Sequence, residues 1–180
     1  MPNAVIFGDG KCGPRTKKYK SAMSLAELLS SMGYNIVNGG YGGVMEASAR
    51  GASKYPVERI GIVIENYYRK PNRYLTRMVY VPSYLDRLKL LIDMGDLYFF
   101  FEGGSGTLLE FMALIALYER GIIEKHTFCF GGKWMKFLNF LYNTFNLSNN
   151  VLNYLHYFKN FEVKDELIKE LVRWSEFRDK

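Results

Sequence analysis

The sequence predicts an α/β fold, a doubly wound parallel sheet in a single domain spanning residues 1–180, and three observations lead there. Short β-rich runs alternate with helical patterns along the chain, the runs are apolar at consecutive positions, and glycines gather where the runs end. Strands alternating with helices make βαβ units and hence a parallel sheet. Such a sheet is covered on both faces, which is why LYFFF (residues 97–101) has no polar side. The length of 180 residues suits one domain, and 48% hydrophobic with 23% charged content is that of a globular core, far from a disordered chain.

The elements follow in order. The run AVIFG (4–8) leads through the glycine cluster GDGKCG to a helical pattern over 17–32. YNIVNGG (34–40) precedes a helix over 43–54, and RIGIVI (59–64) and MVYVP (78–82) come before the helix 84–94. LYFFFEGG (97–104) is followed by a helix over 107–120, and HTFCFGG (126–132) by one over 133–145. In each helix the apolar residues recur at steps of three and four. Residues 146–180 open on the polar turn NLSNN and read as a helical cover, with Leu167, Ile168, Leu171 and Val172 as one apolar stripe.

Composition excludes several classes of function. The two cysteines, Cys12 and Cys129, form no CxxC pair and no histidine completes a zinc quartet with them, so a reduced cytoplasmic setting is expected, with neither metal nor cofactor. The N-terminus has no export signal, and no apolar run approaches the roughly 20 residues of a membrane span. A net charge of +6 favours small anionic partners, but the basic residues are scattered without interleaved aromatic stacking positions, so nucleic acid is not expected.

Ligands of open α/β sheets collect beyond the carboxyl ends of the strands, where the glycines of this chain lie. The first cluster matches GxGxxG at Gly8, Gly10 and Gly13, yet Pro14 follows, and Asn38-Gly39 stands where a dinucleotide fold would offer an acid. The second cluster places Gly39, Gly40, Gly42 and Gly43 before a helix that carries Glu46. The third, FFFEGGSGTLLE, places Gly103, Gly104, Ser105, Gly106 and Thr107 before a helix that carries Glu110. Glycine lets backbone N–H groups approach a ligand, and a helix start adds partial positive charge, so both exits suit a phosphate. Thr107 and Glu110 also fit T-x-x-E, a capping box, and Arg87 reads equally as a solvated helix charge.

GGSGTLLE resembles the GGxGTxxE signature of the Lonely Guy (LOG) proteins, once described as lysine decarboxylases and similar in fold to molybdenum-cofactor carrier proteins. NGGYGGVMEASARGA (38–52) is similar to the family's second signature, and PNRYLT (71–76) to the segment before its third helix. Arg87, nine residues before Asp96, falls where the family places its catalytic arginine. The chain departs from the family at Glu102, where a proline is usual, and at Leu88, where a lysine often follows the arginine.

The resemblance implies a Rossmann-like fold, a homodimer, and hydrolysis of nucleoside 5′-monophosphates to a free base and ribose 5-phosphate. Arg87 and Glu110 would be catalytic, with Gly103, Gly104, Gly106 and Thr107 on the phosphate; Glu46 reads equally as a ribose contact and as a charge that favours its helix start. The alternative is a carrier of a nucleotide or molybdenum cofactor that has no catalysis. Near a helix start Glu110 is expected to be ionised and to stabilise charge on the sugar. Tyr67, Tyr68 and Tyr74 offer stacking surfaces for a purine. The helices 84–94 and 107–120 carry apolar residues on more than one face, which predicts a twofold dimer through them.

Overall fold

A computed structural model describes residues 1–159, 167–169 and 171. In chain order the elements are β1 (Asn3–Phe7), α1 (Lys17–Ser31), β2 (Asn35–Asn38), α2 (Val44–Ala52), β3 (Arg59–Ile64), β4 (Arg77–Val81), α3 (Tyr84–Met94) and β5 (Leu97–Phe101). They continue with α4 (Ser105–Glu119), β6 (Thr127–Phe130), α5 (Gly132–Phe145), α6 (Asn149–Leu152) and β7 (Leu155–Phe158). Seven strands form one sheet in the order β4-β3-β2-β1-β5-β6-β7, with every neighbouring pair parallel. This is a Rossmann-like, doubly wound α/β architecture.

The strand order reverses between β1 and β5. From β1 the chain builds outward through β2, β3 and β4, then returns to lay β5 on the other side of β1 and continues to β7. Loops leaving β1 and β5 therefore diverge and open a crevice above the strand ends. Alternation along each strand divides the core in two. Ala4, Ile6, Leu97, Phe99 and Phe101 pack with α1 and α2, while Val5, Phe7, Tyr98 and Phe100 pack with α3, α4 and α5.

Asn38 ties the second glycine loop to its helix. It is fully buried, donates to Met45 O and Ser48 Oγ at 3.1 Å, and accepts from Gly40 N at 2.8 Å. A buried amide is kept only where its bonds are satisfied, which explains an asparagine at the end of an otherwise apolar strand. Gly43 has φ +67, and a β-carbon there would lie 2.1 Å from Asp9 O, so only glycine lets α2 begin against the loop after β1.

Two features differ from the sequence reading. Residues 155–158 add a seventh strand, β7, paired with β6. Its four residues, LHYF, are all only partly buried, and so short a half-exposed strand leaves no periodicity to detect. Helix α4 begins at Ser105, with Gly104 as its N-cap and no side-chain cap bond. The T-x-x-E capping box therefore does not form, and Glu110 lies in the second turn rather than the first. The NLSNN turn is present, with Asn146 left-handed after α5 and Ser148 capping α6. Leu167 and Leu171 are buried on the α1 face while Ile168 is exposed; Val172 lies outside the described residues.

Helix α4 buries Phe111, Leu114, Ile115 and Tyr118, yet Leu108 and Leu109 remain 40% and 44% exposed, and Leu85 of α3 is exposed as well. No helix among the described residues is long and apolar enough to cross a membrane.

Candidate functional site

The crevice at the strand reversal is a cavity of about 400 Å³ lined from the ends of β1, β2, β3 and β5 and from α3 and α4. Gly39, Gly104, Ser105, Gly106, Thr107, Arg87 and Glu110, all singled out from the sequence, line it together. One wall is the start of α4, where the amides of Ser105, Gly106 and Thr107 meet no acceptor among the described residues. Those donors and the helix field make that wall attractive to an anion.

Arg87 and Glu110 form the floor. Arg87 reaches from the first turn of α3 under the end of β3, where its Nε donates to Ile62 O at 2.9 Å. Its guanidinium lies 5.8 Å from the Tyr41 ring centre and 5.7 Å from that of Tyr84, a cation held by two aromatic faces. Nη1 stands 3.5 Å from Glu110 Oε1, and each residue is only 6% exposed. Arg87 is thus no solvated helix charge. Gly39 creates the room: a β-carbon there would sit 1.4 Å from Arg87 Nη2.

Burial pushes the Glu110 carboxyl up from its ordinary 4.5 to about 7, against the opposing pull of the Arg87 charge. This corrects the expectation of a fully ionised carboxylate. The second-turn position takes Glu110 past the helix-end field, and desolvation then outweighs the one cation beside it. A carboxyl with this affinity holds or releases a proton near neutrality, which suits it to proton transfer.

The other expected residues lie elsewhere. Glu46 follows Met45 on α2; Met45 faces the cavity, so the helical turn carries Glu46 towards α1, where it accepts from the Tyr19 hydroxyl at 3.1 Å. Gly40, Gly42, Gly43 and Gly103 shape the loops behind the lining. Glu102 points away from the anion wall: its Oε1 accepts from Lys133 N at 2.9 Å, at the start of α5, where a carboxylate is favourable. Leu88 packs against the apolar cluster below α3. Of the three tyrosines proposed for stacking, Tyr67 lines the cavity with its ring 5.1 Å from that of Tyr41, whereas Tyr74 stacks with Arg73 and Arg50 outside it.

Asp9, Lys11, Tyr41, Arg69 and Tyr84 complete the lining and were not singled out from the sequence. Asp9 and Lys11 belong to the first glycine cluster, whose layout alone marked the position. Arg69 comes from the segment after β3 and has no carboxylate partner among the described residues. Among those residues no group of three or more His, Cys, Asp or Glu gathers as metal ligands do.

Fold and site together define a Rossmann-like protein with an anion-attracting cavity at its strand reversal and a buried arginine–glutamate pair in the floor. The pattern of the SLOG cluster4 family matches residues 2–137, and the chain belongs to this LOG-like family. An uncharacterised protein of Archaeoglobus fulgidus is 32% identical over 108 residues, which cover 58% of this chain and 68% of that protein. Among solved structures, the chain is similar to TM1055 (TM-score 0.74, 21% identity, 94% of this chain and 99% of that one). It is similar also to the molybdenum cofactor binding protein of Rippkaea orientalis (TM-score 0.73, 21% identity, 95% and 97%). A third likeness is to the molybdenum cofactor carrier protein of Chlamydomonas reinhardtii (TM-score 0.65, 16% identity, 96% and 99%). At these identities the structural likeness concerns the fold.

Two outcomes follow from the geometry of the floor. Gly39→Ala leaves the chain folded, because its new methyl meets the end of a flexible side chain, but it drives the Arg87 guanidinium out of place; a crystal structure of the variant checks this. The second concerns pH. Glu110 binds its proton more tightly folded than unfolded, so its contribution to stability is full below about 4.5 and is lost as pH rises through about 7. Glu110→Gln removes that fall, read as the change in denaturation midpoint between pH 5 and pH 8 in the two proteins.

Proposed function

We propose that the protein is a phosphoribohydrolase that cleaves the N-glycosidic bond of nucleoside 5′-monophosphates, working in the cytoplasm without a metal or cofactor. The observation that carries this reading is the buried Arg87–Glu110 pair, 3.5 Å apart, in the floor of a cavity whose wall is an open helix start. In this reading the 5′-phosphate meets the amides of Ser105, Gly106 and Thr107, in the loop shaped by Gly103 and Gly104. The base lies toward Tyr41 and Tyr67, on the side framed by Gly39, Gly40, Gly42 and Gly43. The glycosidic carbon then stands over the floor, and Glu46 supports the site through Tyr19 rather than on the sugar.

The chemistry needs two charges and one proton carrier. As the C1′–N bond breaks, its electron pair leaves with the base and positive charge builds on the sugar. Water adds its oxygen to C1′, Glu110 takes the water's proton, and the departing base nitrogen ends protonated. Arg87 balances the negative charge that grows on the base before that proton arrives. A carboxyl with a pKa near neutrality can accept and return a proton within one turnover.

The second reading, a carrier that holds a nucleotide or molybdenum cofactor without cleaving it, is supported by the names of two structural neighbours. One experiment separates the two. Incubated with AMP and the other common monophosphates, the protein yields free base and ribose 5-phosphate by chromatography, while the matching nucleosides react far more slowly. The phosphate's binding energy positions the sugar, so its removal lowers turnover as well as affinity. Glu110→Gln lowers turnover by about a hundredfold or more, yet the nucleotide still raises the melting temperature. Monophosphates that raise the melting temperature and survive prolonged incubation with the unaltered protein establish the carrier instead.

The working unit in this proposal is a twofold homodimer. Leu108 and Leu109 of α4 and Leu85 of α3 are exposed apolar side chains, which a second copy of the chain would cover. Light scattering at micromolar concentration gives twice the chain mass, and Leu109→Asp shifts it toward one; a monomer throughout the range removes the proposal.

A further inference from the structure

Tyr84 stands in the cavity between the anion wall and the floor, near both Gly106 and Arg87. It is the first residue of α3, and its ring faces the Arg87 guanidinium at 5.7 Å. Its hydroxyl reaches the first turn of α4, where a β-carbon on Gly106 would lie 2.7 Å from the oxygen. The same hydroxyl feels Glu110 and Arg87 at once; burial and the Glu110 charge raise its pKa above the ordinary 10, so it keeps its proton at neutral pH. At 40% exposure the residue lines the cavity and is not sealed in the core. A phenol that is neutral, both donor and acceptor, and open to the cavity can give a hydrogen bond to a ligand hydroxyl and take one from it.

We infer that the Tyr84 hydroxyl contacts the 2′-hydroxyl of the ribose and makes the site selective for ribonucleotides over 2′-deoxyribonucleotides. The inference rests on the nucleotide reading of the cavity. With the phosphate at Gly106 and the C1′–N bond at Arg87 and Glu110, the sugar spans the distance that Tyr84 bridges. Of the two ring hydroxyls, the one on C2′ is bonded to the carbon next to C1′, on the side of the groups that act there. A hydrogen bond to this hydroxyl strengthens as charge develops on the sugar, so it adds to turnover more than to binding.

The test uses AMP, 2′-deoxy-AMP and 3′-deoxy-AMP with the unaltered protein and with Tyr84→Phe, which keeps the ring over Arg87 and removes only the oxygen. One partly exposed hydrogen bond to the 2′-hydroxyl adds about tenfold to kcat/KM for AMP. Tyr84→Phe lowers AMP turnover by a similar factor and leaves 2′-deoxy-AMP nearly unchanged, so the ratio between the two falls about tenfold; loss of either hydroxyl already removes the same bond. For 3′-deoxy-AMP the variant loses as much as for AMP. A ratio of AMP to 2′-deoxy-AMP that survives the substitution overturns the inference, as does an equal loss on all three nucleotides. Where the nucleotides bind without being cleaved, hydrolysis fails, and a weaker hold on AMP and 3′-deoxy-AMP in Tyr84→Phe with 2′-deoxy-AMP unchanged, read as dissociation constants, still decides the role of Tyr84. A protein that binds none of the three removes the nucleotide reading and this inference with it.

Discussion

The burial of two opposite charges next to one another governs the arrangement of everything around the cavity. Taking Arg87 and Glu110 out of water costs more than their loose pairing at 3.5 Å returns, so the pair is a poor way to stabilise a fold. The surroundings reduce that cost piece by piece. Ile62 offers a carbonyl to the guanidinium, the Tyr41 and Tyr84 rings lie along its faces, and Gly39 gives up its side chain so that the nitrogen fits. The carboxyl relieves what remains by holding its proton more tightly. Such a pair at the strand reversal, where open α/β sheets bind ligands, is what singles out this crevice as the candidate site.

Much of this was legible in the chain before its coordinates. Six strands and five helices follow from the alternation of apolar runs with helical patterns, and the consecutive phenylalanines of β5 require a sheet covered on both faces. Gly39, Arg87, Glu110 and the residues from Gly104 to Thr107 were identified from the glycine exits and the signature, and the fold gathers them round one cavity. Local rules were enough here because glycine at the end of a strand is a constraint of the backbone itself.

What the chain did not disclose depends on distances between elements far apart in sequence. The protonation of Glu110 is set by how deeply α3 and α4 bury it, and no spacing records that depth. Nothing in the sequence set Tyr41 and Tyr84 apart, since a tyrosine becomes part of a site only through what stands opposite its ring. Glu102 appeared a liability beside an anion site until the strand direction turned it to the amide of Lys133. The edge strand β7 rests on pairing with β6, a partner more than twenty residues earlier.

The passage from β3 to β4 is unusual for a parallel pair, because residues 65–76 make the crossover without a helix. Its far end is fastened: Asn72 N donates to Gly40 O at 2.8 Å, and the side-chain amide of Asn72 reaches Gly40 O and Tyr41 O. Between the end of β3 and that anchor the segment carries Tyr67 and Arg69 to the mouth of the cavity. Mouth and floor are therefore separate inheritances. Residues 66–71 belong to no strand and no helix, so the mouth of the cavity is free to vary in sequence and length apart from its floor.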